Sequence, residues 1–185
     1  RLFRMQVQAL IRAANGRPLS LMFPLVAEAA EFFQARAMVE AEVERLAGHG
    51  RPRPAALQVG LMFEVPSLVH APDRLFQSAD FVSVGGNDLL QFYYAADREN
   101  ERVRRRYDTL NLSFLDFLRQ IVERGGRLGT RIGFCGEAAG RPADALALAA
   151  IGFRELSMRS ASIGPVQQAL LNADLDEVRA AIARA

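Results

Sequence analysis

The chain has 185 residues, half of them apolar, enough for one packed domain and too apolar for a disordered chain. A formal charge of only +2 is a weak bias that does not by itself predict a polyanionic partner, and no run of about 18 apolar residues is available to span a membrane. The single cysteine, Cys135, excludes an intrachain disulfide and points to a reducing compartment, with the cytoplasm expected. The opening residues, Arg1 to Gln6, have neither a signal-peptide pattern nor a starting methionine and read as mid-helix. The chain is therefore expected to be a piece of a longer protein.

In chain order, apolar residues at helical spacing predict a helix over Leu2–Ala14, closed at Asn15-Gly16. Leu19 to Phe23 is a short apolar run stopped by Pro24 and reads as a buried strand. Glu28–Leu46 reads as a long helix ended at Gly48-His49-Gly50, and Arg51-Pro52-Arg53-Pro54 as a linker. Leu57–Phe63 is the second strand, ending at Glu64-Val65-Pro66. Ser67 is expected to cap a helix running to about Ser78. Asp80–Gly85 is the third strand, followed by a helix over Asp88–Ala96, a charged stretch, and a helix from about Ser113 to Arg124. Arg131–Cys135 is the fourth strand. Pro142–Ile151 is helical, stopped by Gly152. Glu155–Met158 is the fifth strand, and helices over about Ile163–Leu171 and Leu175–Ala183 finish the chain. Five apolar strands without alternation, interleaved with helices, predict a parallel sheet covered by helices in a single α/β domain over residues 1–185. An open doubly wound sheet and a barrel both fit; a complete (β/α)8 barrel takes roughly 250 residues, so only part of one is present.

Polar residues gather where the strands end. Glu64 follows the second strand, Gly85-Gly86-Asn87-Asp88 the third, Cys135-Gly136-Glu137 the fourth, and Arg159-Ser160 the fifth. Parallel α/β folds build their sites at these C-terminal ends, so Glu64, Asp88 and Cys135 are expected to converge. Two carboxylates on neighbouring strands suit a hard cation such as Mg2+, although a salt bridge for Glu64 and an N-cap for Asp88 would serve equally. The Gly85-Gly86 turn matches neither nucleotide fingerprint; it reads as a plain tight turn or a close approach to phosphate. Cys135 has no CxxC partner, which leaves a small buried residue or a thiol acid/base. Arg98, in a loop, can clamp a phosphate or carboxylate. The arginine-rich stretch that follows is interrupted by Glu99 and Glu101 and reads as a solvated face, not a nucleic-acid patch. His49 and His70 read as surface residues.

These segments, taken in order, resemble a known family. Gly60-Leu61-Met62-Phe63-Glu64-Val65-Pro66-Ser67, Ser83-Val84-Gly85-Gly86-Asn87-Asp88-Leu89-Leu90-Gln91-Phe92, Ala96-Asp97-Arg98 and Phe134-Cys135-Gly136-Glu137 are similar to the C-terminal domain of Enzyme I of the bacterial phosphoenolpyruvate-dependent phosphotransferase system. Glu64 to Ser67, Leu89 to Phe92 and Ser162 to Pro165 look closer to its nitrogen-regulatory branch. The resemblance implies a (β/α)8 barrel of TIM type, of which about the last five βα units are present. It implies Mg2+ held by Glu64 and Asp88, phosphate contacts from Asn87 and Arg98, and Cys135 as the acid that protonates the enolate of pyruvate. It further implies a homodimer, phosphoenolpyruvate and pyruvate as ligands, and an HPr-like phosphocarrier reached through an N-terminal phosphohistidine domain. That domain and the first barrel strands, with their arginines, are absent here, so the chain alone is expected to be inactive and its sheet edge to be sticky or covered. The family usually carries Thr or Ser where this chain has Gly86. Pyruvate phosphate dikinase and phosphoenolpyruvate synthase share the Asn-Asp and Cys-Gly-Glu motifs and form an alternative reading; a non-catalytic dimerisation module is another.

Overall fold

A computed structural model describes residues 1–97, 99–104 and 106–185. Its elements are α1 (Leu2–Ala14), β1 (Leu19–Phe23), α2 (Ala29–Gly48), β2 (Leu57–Phe63), α3 (Asp73–Ser78), β3 (Val82–Gly85), α4 (Gly86–Tyr93), α5 (Glu101–Arg104), α6 (Leu112–Leu128), β4 (Ile132–Cys135), α7 (Pro142–Ala150), β5 (Glu155–Ser157), α8 (Ser160–Asn172) and α9 (Leu175–Arg184), with short 3₁₀ turns at Pro66–His70 and Glu137–Gly140. The strands form one parallel sheet in the order β1-β2-β3-β4-β5. Each strand therefore lies beside the next in sequence, with helices in the crossovers, as in the wall of an α/β barrel.

The register corrects one expectation. The strands do alternate. Leu21, Val59, Leu61, Phe63, Val82, Val84, Ile132 and Phe134 share one face and are buried. The other face carries Ser20, Met22, Gln58, Met62, Ser83, Gly133, Cys135 and Ser157, all half-buried or exposed. The apolar face packs on the helices. Phe63 meets Phe76 of α3 and Phe117 of α6, and Phe134 meets Phe153 edge-on at 5.4 Å. Burying each such ring contributes about 1.5–3 kcal/mol, which is why this face, not the other, dictates the register.

Element boundaries differ from the sequence reading at several places, of which those near the strand ends matter most. The helix expected from Ser67 to Ser78 is broken, because Pro72 lacks an N–H and Ala71 before it is extended at φ −62° and ψ 150°. Ser67 does not cap it; its hydroxyl donates to the Ala27 carbonyl at 3.1 Å. At β3 the helix starts at Gly86 rather than Asp88 and stops at Tyr93, before Ala95 turns left-handed at φ 50°. After β5, α8 already begins at Ser160: Arg159 is extended, and the Ser162 N–H closes the first turn onto the Arg159 carbonyl at 2.9 Å. Pro165 is accommodated inside that helix.

Candidate active site

Strand register brings the polar strand ends level. Phe63 pairs with Val84, Gly85 with Cys135 and Cys135 with Ser157, so Glu64, Gly85, Cys135 and Ser157 form one row across four strands. Glu64 lies one residue past β2 with 3% exposure, and its Oε1 accepts from the Leu25 N–H at 2.6 Å. Leu25 stands at φ 52°, a left-handed conformation that costs a branched residue about 1–2 kcal/mol and here turns its amide onto the carboxylate. Gly85 leaves the room Glu64 occupies. A Cβ there would lie 2.8 Å from Glu64 Oε2 and 3.0 Å from its Cβ. Among the described residues Glu64 makes no ion pair.

Asp88 sits in the first turn of α4, where the helix dipole favours a carboxylate. Asn87, beside it, is tied to the turn after β4: its Oδ1 accepts from the Glu137 N–H at 3.2 Å. That turn needs Gly136, which has φ 138° and approaches so closely that a Cβ would lie 3.1 Å from Asn87 Oδ1. Asn87 is thus anchored through its oxygen, and its Nδ2 makes no hydrogen bond to a described residue. Cys135 ends β4 half-buried, and the Ser83 hydroxyl, one strand away on the same face, donates to its sulfur at 3.4 Å.

Two cavities open here. One of about 320 Å³ is lined by Cys135, Asn87, Gly136, Ser157, Arg159 and Ser162, among others. The other, about 620 Å³, lies between α4 and the 3₁₀ turn after β4 and is walled in part by Arg141, Asp108 and Thr109. Asn87 and Glu137 border both. Arg141 is engaged: the hydrogen bond to Asp144 outweighs its partial burial and, with the charges of Asp144, Asp108 and Glu137, raises its affinity for its proton.

Of the residues singled out from sequence, Glu64, Asp88, Asn87 and Cys135 therefore lie at one end of the sheet. Arg98 lies outside the described residues. Arg159 and Ser83 join them without having been assigned a role. Arg159 was visible as a loaded strand end, whereas Ser83 depends on a register that composition does not disclose. Among the described residues no group of three or more His, Cys, Asp or Glu stands close enough to hold a metal by itself.

The chain resembles known proteins over nearly its whole length. The family described as "PEP-utilising enzyme, PEP-binding domain" (PEP, phosphoenolpyruvate) matches residues 1–175. A phosphoenolpyruvate-protein phosphotransferase of Latilactobacillus sakei is 37% identical over 96% of this chain and 31% of its own length. One of Bacillus subtilis is 37% identical over 90% and 29%. A Salmonella typhimurium protein named phosphoenolpyruvate-dependent phosphotransferase system is 37% identical over 96% and 24%. The chain thus spans less than a third of these relatives. A citrate lyase of Burkholderia xenovorans LB400 superposes with a TM-score of 0.60 at 19% identity, over 92% of this chain and 54% of that one. That likeness concerns the fold alone, and it accords with the five βα units of a TIM-type barrel seen here. With the family match covering residues 1–175 and relatives of one kind aligning along nearly all of it, the chain belongs to the PEP-utilising enzymes as their PEP-binding domain.

Proposed function

We propose that this chain is the phosphoenolpyruvate-binding part of a phosphoenolpyruvate-protein phosphotransferase of Enzyme I type. The observation that carries the reading is the single row of Glu64, Gly85 and Cys135, with Asn87 anchored to the turn after Cys135. In the proposed reaction the bond between phosphorus and the enol oxygen breaks as a histidine nitrogen on a separate domain bonds phosphorus. The enolate left behind takes a proton at its methylene carbon from Cys135 Sγ, giving pyruvate and a thiolate. The Ser83 O–H, already directed at that sulfur, stabilises the charge left there. Asn87 Nδ2 is the donor available for a phosphate oxygen. Arg98 is assigned to the phosphate by resemblance alone.

The residues present fit a hard divalent cation. Glu64 is a buried carboxylate with one amide donor and no described cationic partner, and Asp88 adds a second oxygen donor on the next strand's helix. Mg2+ commonly uses one or two carboxylates and takes its remaining oxygens from substrate and water. When bound, the ion would neutralise charge on the phosphoryl group and the enolate. Phosphoryl transfer onward to an HPr-like carrier and a cytoplasmic homodimer without nucleic-acid or membrane partners complete the proposal. Resemblance at Glu64–Ser67, Leu89–Phe92 and Ser162–Pro165 favours the nitrogen-regulatory branch. No described helix is long and apolar enough to cross a membrane.

The test is Cys135→Ala in the longest gene product that contains the chain. Pyruvate formation is expected to fall about 10²–10⁴-fold while equilibrium PEP binding and the melting temperature hold. Near-normal turnover would return Cys135 to the role of a small, half-buried packing side chain.

A further inference from the structure

We propose that Arg141 is a positioning residue for the reaction: held by Asp144 and Asp108, it locks the turn after Cys135 that carries the Glu137 N–H to Asn87. The inference rests on the function proposed above, in which Asn87 Nδ2 meets a phosphate oxygen. Arg141 closes that turn. Its N–H donates to the Ala138 carbonyl at 3.1 Å, and its own carbonyl accepts from the Ala145 N–H at 2.9 Å in the first turn of α7. Pro142 keeps it extended, at φ −98° and ψ 122°. The backbone of Arg141 is thus fixed between the turn and α7, and the rest depends on its side chain.

Asp144 has 3% exposure, a burial that aspartate reaches almost only when paired. Its described hydrogen bonds all come from Arg141: Nε donates to Oδ2 at 2.5 Å and Nη2 to Oδ1 at 3.1 Å. Two parallel N–H···O bonds fix the plane of a guanidinium, which a lysine ammonium cannot reproduce. That plane turns Nη2 toward Asp108, 33 positions away in the crossover between β3 and β4, and Nη2 donates to its Oδ1 at 3.2 Å. Asp108 is itself braced. Its Oδ1 accepts from the Leu110 N–H at 3.3 Å, and the neighbouring Tyr107 ring stacks on Tyr94 at 4.2 Å and 16°. Arg141 and Asp108 are both about half-exposed, so their pair adds little to global stability; what it supplies is direction. The pair walls the cavity of about 620 Å³ that Asn87 and Glu137 border. A turn released from this brace would let the Glu137 N–H leave Asn87 Oδ1, and the amide would then rotate away from the phosphate.

The experiment is equilibrium titration of PEP against the longest gene product containing the chain, with Mg2+ present, in a double-mutant cycle of Arg141→Gln and Asn87→Ala. Arg141→Gln alone is expected to weaken PEP about three- to ten-fold and to add almost nothing in the Asn87→Ala background, because it acts through Asn87. Arg141→Lys keeps the charge but not the fork and is expected to recover only part of the loss. Should Arg141→Gln fail to fold because Asp144 is left unpaired, Arg141→Gln/Asp144→Asn removes both charges and takes its place in the cycle. Asp108→Asn spares the buried pair. It should leave the melting temperature unchanged and weaken PEP about two- to five-fold, and its gap from the parent should close as salt is added. Equal losses from Arg141→Gln with and without Asn87 would overturn the positioning role and leave the site reading standing. So would PEP affinity unchanged by either Arg141→Gln or Asp108→Asn, beside a loss in Asn87→Ala. No PEP binding by the parent protein, or none lost in Asn87→Ala, would overturn the site reading as well.

Discussion

Gly86→Ala is the most exacting test of how the site is built. A Cβ at Gly86 would lie 2.2 Å from Cζ of Phe134 and 2.8 and 3.0 Å from its two Cε atoms. Carbon atoms prefer separations of about 3.5–4 Å, so the ring or the start of α4 has to move by more than 1 Å, on the order of the gap itself. The ring is 1% exposed and held edge-on by Phe153, so it cannot swing into solvent. Overpacking of this kind costs about 1–3 kcal/mol. Phe134→Leu alone loses buried ring area and leaves a cavity, again at about 1–3 kcal/mol. The two changes should not add. In Gly86→Ala/Phe134→Leu the new methyl enters space the smaller side chain vacates, so the double variant is expected to be at least about 1 kcal/mol more stable than the sum of the singles. Urea unfolding of the four proteins, compared at equal m-values, measures this. Because Asn87 and Asp88 follow directly, PEP affinity should fall in the single Gly86 variant and recover in the double. Additivity within about 0.5 kcal/mol, or a Gly86→Ala variant as stable as the parent, would refute the reasoning. The same contact leaves no room for a hydroxyl-bearing side chain at this position while Phe134 stands.

Glu42 holds α1 to α2 from a nearly buried position, accepting from Gln8 Nε2 at 3.0 Å and pairing with Arg4 and Arg45, each at 2.8 Å. Glu42→Ala is expected to lower stability by about 1.5 kcal/mol, the low end for hydrogen bonds to a charged group because both arginines stay well solvated; denaturant unfolding checks it. Burial alone would raise the Glu42 carboxyl, but the hydrogen bonds from Arg45 and Gln8 and the charges of Arg45 and Arg4 hold it below the usual range. A carboxyl lowered on folding stabilises above its unfolded pKa of about 4.3 and loses that contribution as pH falls through the lower folded value. The stability gap between the parent and Glu42→Gln should therefore be full at neutral pH and close on acidification below about pH 4; a gap independent of pH would contradict it.

Much of this arrangement was legible in the sequence, because short apolar runs and the residues that stop them are local signals. All five strands, and the placing of Glu64 and Cys135 at strand ends, came from that pattern. What stayed hidden depends on contacts between strands. The alternation of faces was masked because Gly60, Met62 and Gly133 on the inner face are themselves apolar or featureless in sequence. The start of α4 at Gly86 depends on the Phe134 ring from the next strand. The Ser83 contact to Cys135 and the Leu25 amide on Glu64 join residues 52 and 39 positions apart. The break at Pro72, by contrast, was written in the sequence, since a proline six residues into a helix removes a donor and extends its predecessor.

The most direct test of the central claim is equilibrium binding of PEP by the longest gene product containing this chain, with and without Mg2+, in the parent, Glu64→Gln and Asp88→Asn. Tight binding in the parent only with Mg2+, weakened in both variants with their fold retained, is the expected result. PEP affinity indifferent to Mg2+ and to both substitutions would contradict a carboxylate-held metal site at the ends of β2 and β3.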